Sequence, residues 1–338
     1  MGKENNVMNS YLREPSRFAD LFNGVCFNGV QVISPDGLTD ASEKYEAYTE
    51  GNSQDGGRTQ RQERIRDIKK KYDNGIILRI LAVENQNYVD YTAGVRNLQY
   101  DAFEYAEQVG RLKARHREKG DISTADERLS GIAKTDRLHP AYTIWLYHGE
   151  KEWDGPRALR DMMDFGARAD EMSELFNDYG MNLVCLNEIK DYGVFRTEIG
   201  QLFEVMKYRS DKKGLETLLK DNERYRHLEA DTVEAVSVML HRPGIWRHRE
   251  RYMSMGEEER EEYDVCQALQ EICDEKYNDG MQQGIEQGMR QGIEQGIKAL
   301  ILTCKKFNQT REATEQQLRL MYEFKSEEEV SEKINLYW

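Results

Sequence analysis

Residues 64 to 86 read Arg64-Ile65-Arg66-Asp67-Ile68-Lys69-Lys70-Lys71-Tyr72-Asp73-Asn74-Gly75-Ile76-Ile77-Leu78-Arg79-Ile80-Leu81-Ala82-Val83-Glu84-Asn85-Gln86. Two strand-like runs, 64–72 and 76–86, flank an Asn-Gly pair. Both of those residues tolerate the positive φ angles of a type I′ turn, so the pattern predicts a β-hairpin. From Ile76 to Val83 the second run is almost continuously apolar and rich in β-branched side chains, as a strand covered on both faces requires. A two-residue Asn74-Gly75 loop sets Asp67 opposite Ala82. Glu84 is then the diagonal neighbour of Asp67 on the same face, about 7–8 Å away, and two carboxylates so placed can share one divalent cation. A three-residue bulged loop would put them on opposite faces.

Seven basic residues surround the first acid, Arg58, Arg61, Arg64, Arg66, Lys69, Lys70 and Lys71, against Glu63 alone besides Asp67 itself. By itself such a run is a solvated strand face. Around an acidic pair it reads as a strip that holds backbone phosphates.

Outward from the hairpin, Phe18, Leu21, Phe22 and Val25 recur at helical spacing within residues 11–30, with Gly24 and Gly29 at the end. Residues 34–60 are polar and turn-rich and predict a loop. Val95 to Val109 predicts a helix through Leu98, Ala102, Tyr105 and Ala106, followed by an exposed charged connection over 111–136. Tyr142 to Tyr147 is a second strand, and the order helix, hairpin, helix, strand implies an α/β fold with a mixed sheet. Helical patterns follow over 158–176 and 196–240, broken at Pro243-Gly244. Gly280, Gly284, Gly288, Gly292 and Gly296 then repeat every four residues, each followed by Met or Ile. Gln, Glu, Arg and Lys between them exclude a membrane helix, so this segment reads as a flexible or self-associating connector. Residues 298–338 give two short amphipathic helices. The expected organisation is a core over 1–160, a helical extension completing it over 161–255, a charged and Gly-repeat connector over 256–297, and a terminal module over 298–338.

Composition narrows the function classes. The net charge is -14, mean hydropathy is -0.84 and 33% of residues are charged, so acidity dominates on average. Charge is unevenly spread, however, with acid concentrated in segments such as Glu257 to Asp264 and base around Asp67. The five cysteines, Cys26, Cys185, Cys266, Cys273 and Cys304, are odd in number and contain no CxxC, which argues against a disulfide framework or a zinc ribbon. No histidine pair has metal-ligand spacing. No apolar run approaches the roughly 20 residues a bilayer needs, and the first residues carry no secretory apolar region. A cytoplasmic protein with free thiols is expected.

Asp67 followed by Val83-Glu84-Asn85-Gln86 resembles the core of PD-(D/E)XK nucleases, and in particular the Rpn or YhgA-like group of recombination-promoting nucleases, which are also classed with transposases. Arg17-Phe18-Ala19-Asp20-Leu21-Phe22-Asn23, Arg66-Asp67-Ile68, Arg96 with Tyr100, and Pro140 through Tyr147-His148-Gly149-Glu150 with Trp153 are similar to the same group, as are the Gly-repeat tail and the final module. The resemblance therefore runs over nearly the whole chain. It implies a restriction-endonuclease-like mixed sheet flanked by helices, followed by a helical C-terminal region. The implied activity is that of a Mg²⁺-dependent (or Mn²⁺-dependent) DNA endonuclease promoting recombination through DNA breaks. Asp67, Glu84 and the backbone carbonyl of Asn85 would hold the metal, Gln86 would take the place of the motif's lysine, and Asp20 would be a further acidic ligand. Arg64, Arg66, Lys69, Lys70, Arg96 and Tyr100 would contact DNA. Gln86 departs from the motif in a way that matters, since an amide is neither a base nor a cation. A catalytically inactive DNA-binding or scaffolding protein is the competing expectation, and an RNA-directed nuclease a third. His148, alone after a strand, reads as structural, and Tyr147 and Trp153 as core.

Overall fold

A strand apolar on both faces needs partners along both edges and layers above and below. In the computed structural model, strand β5 (Leu78–Gln86) has both. The residues described are 2–41, 44–49, 60–65, 67–73, 78–220, 222–256, 260–324 and 326–338, with backbone alone for 44–49, 60–65, 78–80, 272–280 and 327. A five-stranded sheet runs β1 (Leu38–Asp40), β4 (Ile68–Asp73), β5, β6 (Ala141–Tyr147), β7 (Asn182–Cys185). The pairs β1/β4 and β4/β5 are antiparallel, whereas β5/β6 and β6/β7 are parallel. The protein is thus mixed α/β, with a helical C-terminal region.

The parallel β5/β6 pair requires a crossover, which is supplied by helix α3 (Ala93–Lys119). Alternation along β6 sorts its side chains between two layers. Thr143 and Trp145 turn toward α3, where the hydroxyl donates to Asp101 Oδ1 at 3.3 Å and the indole N–H to Asn97 Oδ1 at 3.0 Å. Trp145 is fully buried with Ala93, Tyr100, Tyr147, Trp153 and Cys185. Truncating so large a core side chain costs about 3–5 kcal/mol. The opposite face meets α1 (Lys3–Leu12), whose Asn5 Nδ2 donates to the Asn85 carbonyl at 3.3 Å.

Helix α2 (Pro15–Phe27) starts with Pro15 just inside an N-cap Glu14 and ends at Asn28 with φ 51°. These first helices are tied to a layer that comes much later in the chain, α6 (Ile199–Lys207) and α8 (Ala230–Met239). Tyr11 Oη and Thr232 Oγ1 lie 2.9 Å apart. Buried Arg17 reaches Glu229 at 2.8 Å and Asp231 at 3.2 Å.

Several boundaries differ from expectation for identifiable reasons. The run 64–72 is not one strand: β3 (Gln60–Ile65) pairs with β2 (Lys44–Thr49) in a separate ribbon, and β4 starts only at Ile68. The loop expected over 34–60 therefore contains β1 and β2, and its Gly51, Asn52, Gly56 and Gly57 lie outside the described residues. Helix α3 continues to Lys119 through the segment expected as an exposed connection. His116 holds that extension, its Nδ1 2.5 Å from Asp121 and its Nε2 2.7 Å from Asp136, and basic residues at a helix C-terminus favour the macrodipole. The helix expected over 158–176 is instead two 3-10 turns and the short α5 (Ala169–Glu174), and Asn182–Cys185 adds an unpredicted edge strand to the sheet.

The chain divides into two units, Met1–Ala268 and Leu269–Trp338. The second contains most of α10 (Val265–Lys306), followed by α11 (Arg311–Met321) and α12 (Glu327–Tyr337). The Gly repeat is thus part of one continuous 42-residue helix. Its lower end packs Ile297 and Ile301 with Leu318, Val330 and Ile334. No helix among the described residues is long and apolar enough to cross a membrane.

Candidate functional site

The β4/β5 register runs from Ile68 opposite Val83 through Lys69 opposite Ala82 to Asp73 opposite Leu78. Extended one step past the paired residues, this register would set Asp67 opposite Glu84. The expected register, with Asp67 opposite Ala82, is therefore displaced by two residues. The Asn74-Gly75 turn that was to set it lies outside the described residues. Because the displacement is even, a register extended to Asp67 would keep it on the face of Glu84 and Gln86, the α3 face.

Asp67 sits just before β4 begins, and its side chain continues the ladder in place of the backbone: Oδ2 accepts from the Asn85 N–H at 2.8 Å. Its own carbonyl accepts from Arg13 Nη2 at 3.1 Å. Glu84 is 1% exposed, too buried for a carboxylate to persist without compensation. Compensation comes from the first turn of α3, where Arg96 Nη2 stands 3.4 Å from Glu84 Oε2. The same guanidinium puts Nη1 2.5 Å from Asp90 Oδ2 and donates to Tyr100 Oη at 3.2 Å, and it lies over the Trp145 ring at 5.0 Å. Burial pushes the Asp90 carboxyl upward, but hydrogen bonds from Thr92 and Arg96 outweigh it and hold the group below the usual carboxylate range. Burial and the neighbouring Glu84 charge push the Tyr100 phenol upward, so it is a neutral hydroxyl at physiological pH.

Of the residues expected at the site, then, Glu84, Gln86, Arg96 and Tyr100 share the α3 face, and Asp67 lies at the start of β4 with its carboxylate on the Asn85 N–H. Asn85 points the other way, its side-chain amide bonded to Asn9 of α1 and its carbonyl taken by Asn5. Asp20 is a correction. Its buried carboxylate accepts from the backbone N–H groups of Arg196 and Thr197, the latter at 2.7 Å, and from the Thr197 hydroxyl at 2.7 Å, so it fastens the turn before α6. Lys69 and Lys70 are also corrected. Lys69 Nζ is 2.7 Å from Glu104 Oε2 inside the α3 layer, and Lys70 Nζ is 2.6 Å from Asp40 Oδ1, each side chain about 3% exposed or less. Neither ammonium is presented to a phosphate. The Arg64 side chain and all of Arg66 fall outside the described residues. Tyr147 and Trp153 are core, as expected.

Sequence reasoning missed Asp90 and Glu104. Asp90 had a signal, since it stands just ahead of the apolar period of α3 and takes both the N–H and the hydroxyl of Thr92 in the manner of a helix start. Glu104 had none, because one acid in a charged helix shows no partner until the sheet lies beneath it.

Among the described residues no group of three or more His, Cys, Asp and Glu is gathered for a metal ion. Mg²⁺ does not require one, since it binds through one or two carboxylates with waters and substrate oxygens. Gln86 bears on the fit. It is 5% exposed, and its Oε1 has no hydrogen-bond partner among the described residues, leaving a buried neutral oxygen on the same strand face as Glu84. Two carboxylates and that oxygen are a hard donor set suited to such an ion. Comparisons of the chain with protein-family models, curated proteins and solved structures each gave no match.

Proposed function

We propose that the chain is a Mg²⁺-dependent DNA endonuclease with a PD-(D/E)XK-type core. The observation that supports this reading is the Asp67 carboxylate bonded to the Asn85 N–H, directly beside buried Glu84, with the unsatisfied Gln86 oxygen on the same strand. Asp67, Glu84 and Gln86 are the residues that would hold the cation. When bound, it supplies Lewis acidity that lowers the pKa of water and offsets charge at phosphorus. Gln86 orients a water by accepting its hydrogen bond but takes no proton. Lys69 cannot replace the missing lysine while its ammonium is sealed against Glu104. Arg96, a cation of the site that is 26% exposed, would be the residue to meet a phosphate. The resemblance noted from Asp67 and Glu84-Asn85-Gln86 supports DNA as the substrate.

Supercoiled plasmid with Mg²⁺ or Mn²⁺ tests the reading against Asp67→Ala and Glu84→Ala. Cleavage abolished by both is the expected result, and cleavage that survives both refutes the site. The second reading, an inactive DNA-binding or scaffolding protein, is favoured by one observation: Arg96 already neutralises Glu84 without a metal. Absence of cleavage with either metal would decide for it.

We also infer that α10 pairs with a second copy of itself. A Cβ on Gly284, Gly288 or Gly292 would meet nothing within 4 Å, and Ile285, Met289 and Ile293 beside them are exposed. The same apolar stripe is covered from Ile297 onward by α11 and α12. A four-residue glycine period allows close backbone approach, and a second copy of the helix offers the same small surface in return.

A further inference from the structure

The loop from Asn87 to Tyr91, which joins β5 to α3, is sorted by burial. Val89 is half-buried and Asp90 9% exposed, whereas Tyr88 and Tyr91 are 58% and 61% exposed. The two inward residues fix the loop. Val89 packs against the buried cluster that holds Trp145 and Trp153, and Asp90 accepts from Thr92 and Arg96. Two large aromatic side chains therefore stand in solvent on an anchored loop.

Tyr91 is held at its far end as well. Its hydroxyl donates to the Asp154 carboxylate, with Oδ1 at 2.9 Å and Oδ2 at 3.1 Å. Asp154 follows Trp153, whose ring meets that of Tyr147 edge-on at 5.0 Å, and Tyr147 lies opposite Gln86 in the β5/β6 register. The one phenolic proton is used within the chain, so what Tyr91 offers a ligand is the face of its ring. A ring fixed in advance gives up little rotamer freedom when another ring stacks on it.

The loop starts where the candidate site ends. Gln86, whose buried Oε1 has no hydrogen-bond partner among the described residues, precedes Tyr88 by two residues, a chain reach of about 7 Å. Asp90 grips Arg96, and Arg96 Nη2 is 3.4 Å from Glu84 Oε2. Parallel strands β5 and β6 end on this edge of the sheet, and antiparallel β4 begins there. Ligands of open α/β sheets bind beyond the carboxyl ends of such strands. A polynucleotide with its phosphate at Glu84 and Asp67 would run its neighbouring bases past the loop. Bases inside a duplex are already stacked on one another, whereas unpaired bases have free π-faces that an aromatic side chain can take.

We infer that Tyr88 and Tyr91 are stacking platforms for unpaired bases beside the scissile phosphate, so that the substrate is single-stranded or locally opened DNA. This rests on the nuclease reading. Neither tyrosine adds charge, so their share of the affinity is independent of salt, unlike a contact from Arg96 to a phosphate.

The test titrates full-length protein in Ca²⁺ with a short labelled single strand and with a blunt duplex of the same length. One 2-aminopurine in the strand reports stacking, because an aromatic ring laid on it quenches its fluorescence. Wild type should prefer the single strand and quench the probe. Tyr88→Ala and Tyr91→Ala should each weaken single-strand binding at least about fivefold, relieve the quenching and leave the salt slope unchanged. Tyr91→Phe keeps the ring and loses only the bond to Asp154, so it should retain binding and quenching, and Tyr91→Trp should do the same. Both positions are exposed, so these variants should melt close to wild type. Undiminished binding and quenching in Tyr88→Ala/Tyr91→Ala overturns the inference. So does equal loss in Tyr91→Phe and Tyr91→Ala, or a wild type with no preference for the single strand. Each of these leaves the nuclease reading standing, whereas failure to bind either form of DNA overturns both.

Discussion

Lys69 Nζ lies 2.7 Å from Glu104 Oε2, with the two side chains 2% and 0% exposed. This pair joins the central sheet to α3, the helix that carries Arg96. Removing one partner strands a charge in the layer, which costs about 3–5 kcal/mol, whereas removing both is often near neutral. Lys69→Met should therefore lower the urea midpoint markedly, and Lys69→Met/Glu104→Leu should recover most of the loss. Equal destabilisation by the single and double variants would show that the pair is not what holds the layer.

Asp20 separates a structural role from a metal role. Its carboxylate accepts charge-assisted bonds from Arg196 and Thr197, each worth about 1.5–3 kcal/mol. Asp20→Ala should lower the melting temperature while leaving Mn²⁺ affinity, measured by calorimetry at a temperature where the variant is folded, unchanged. A fall in affinity would return Asp20 to the metal site.

His148 gives the fold a pH dependence. It is 2% exposed, neither ring nitrogen has a hydrogen-bond partner among the described residues, and burial followed by the Arg209 charge pushes its pKa down to about 4 from 6.5. Arg209 is itself paired with Glu150 at 3.5 Å. A depressed pKa means that the unfolded chain takes up the proton first. Stability is thus full above pH 6.5 and declines as pH falls toward about 4, by roughly 3 kcal/mol in all. His148→Leu should flatten denaturation midpoints between those limits. A slope undiminished in the variant would assign the effect to other groups.

Glycine costs a helix about 1 kcal/mol relative to alanine. Gly284→Ala/Gly288→Ala/Gly292→Ala should accordingly stabilise an isolated α10. If the helix pairs with a second copy at close approach, the same three methyl groups should reduce the assembly mass seen by light scattering. An unchanged mass would refute pairing through this stripe.

The sheet's centre was legible because β5 and β6 carry their signal in composition and length, needing no knowledge of their neighbours. The nearness of Asp67 to Glu84-Asn85 was legible for a different reason, since a hairpin brings the start of one strand to the end of the next whatever its exact register. The register itself was not, because it depends on the turn, and Asp67 stands two residues from its expected place. Lys69, Lys70 and Lys71 show what a sequence hides in a strand. A basic run reads as solvated, yet alternation delivers Lys69 to Glu104 in one layer and Lys70 toward Phe18 and Asp40 in the other. Edge strands β1 and β7 are only three and four residues long, too short for any period to declare itself.

The bonds from Tyr11 to Thr232 and from Arg17 to Glu229 and Asp231 span 212 to 221 residues. During synthesis, Tyr11 and Arg17 therefore wait for α8 before they can make these bonds, and Met8 and Leu12 of α1, 0% exposed in the finished fold, wait for the same helix. At about 5–20 residues per second that delay lasts roughly 10 to 40 s. The nascent chain thus shows the ribosome's surroundings a sticky amino-terminal segment for much of its translation. Contacts of such long sequence separation slow folding, because the chain entropy of closing them is lost before they form.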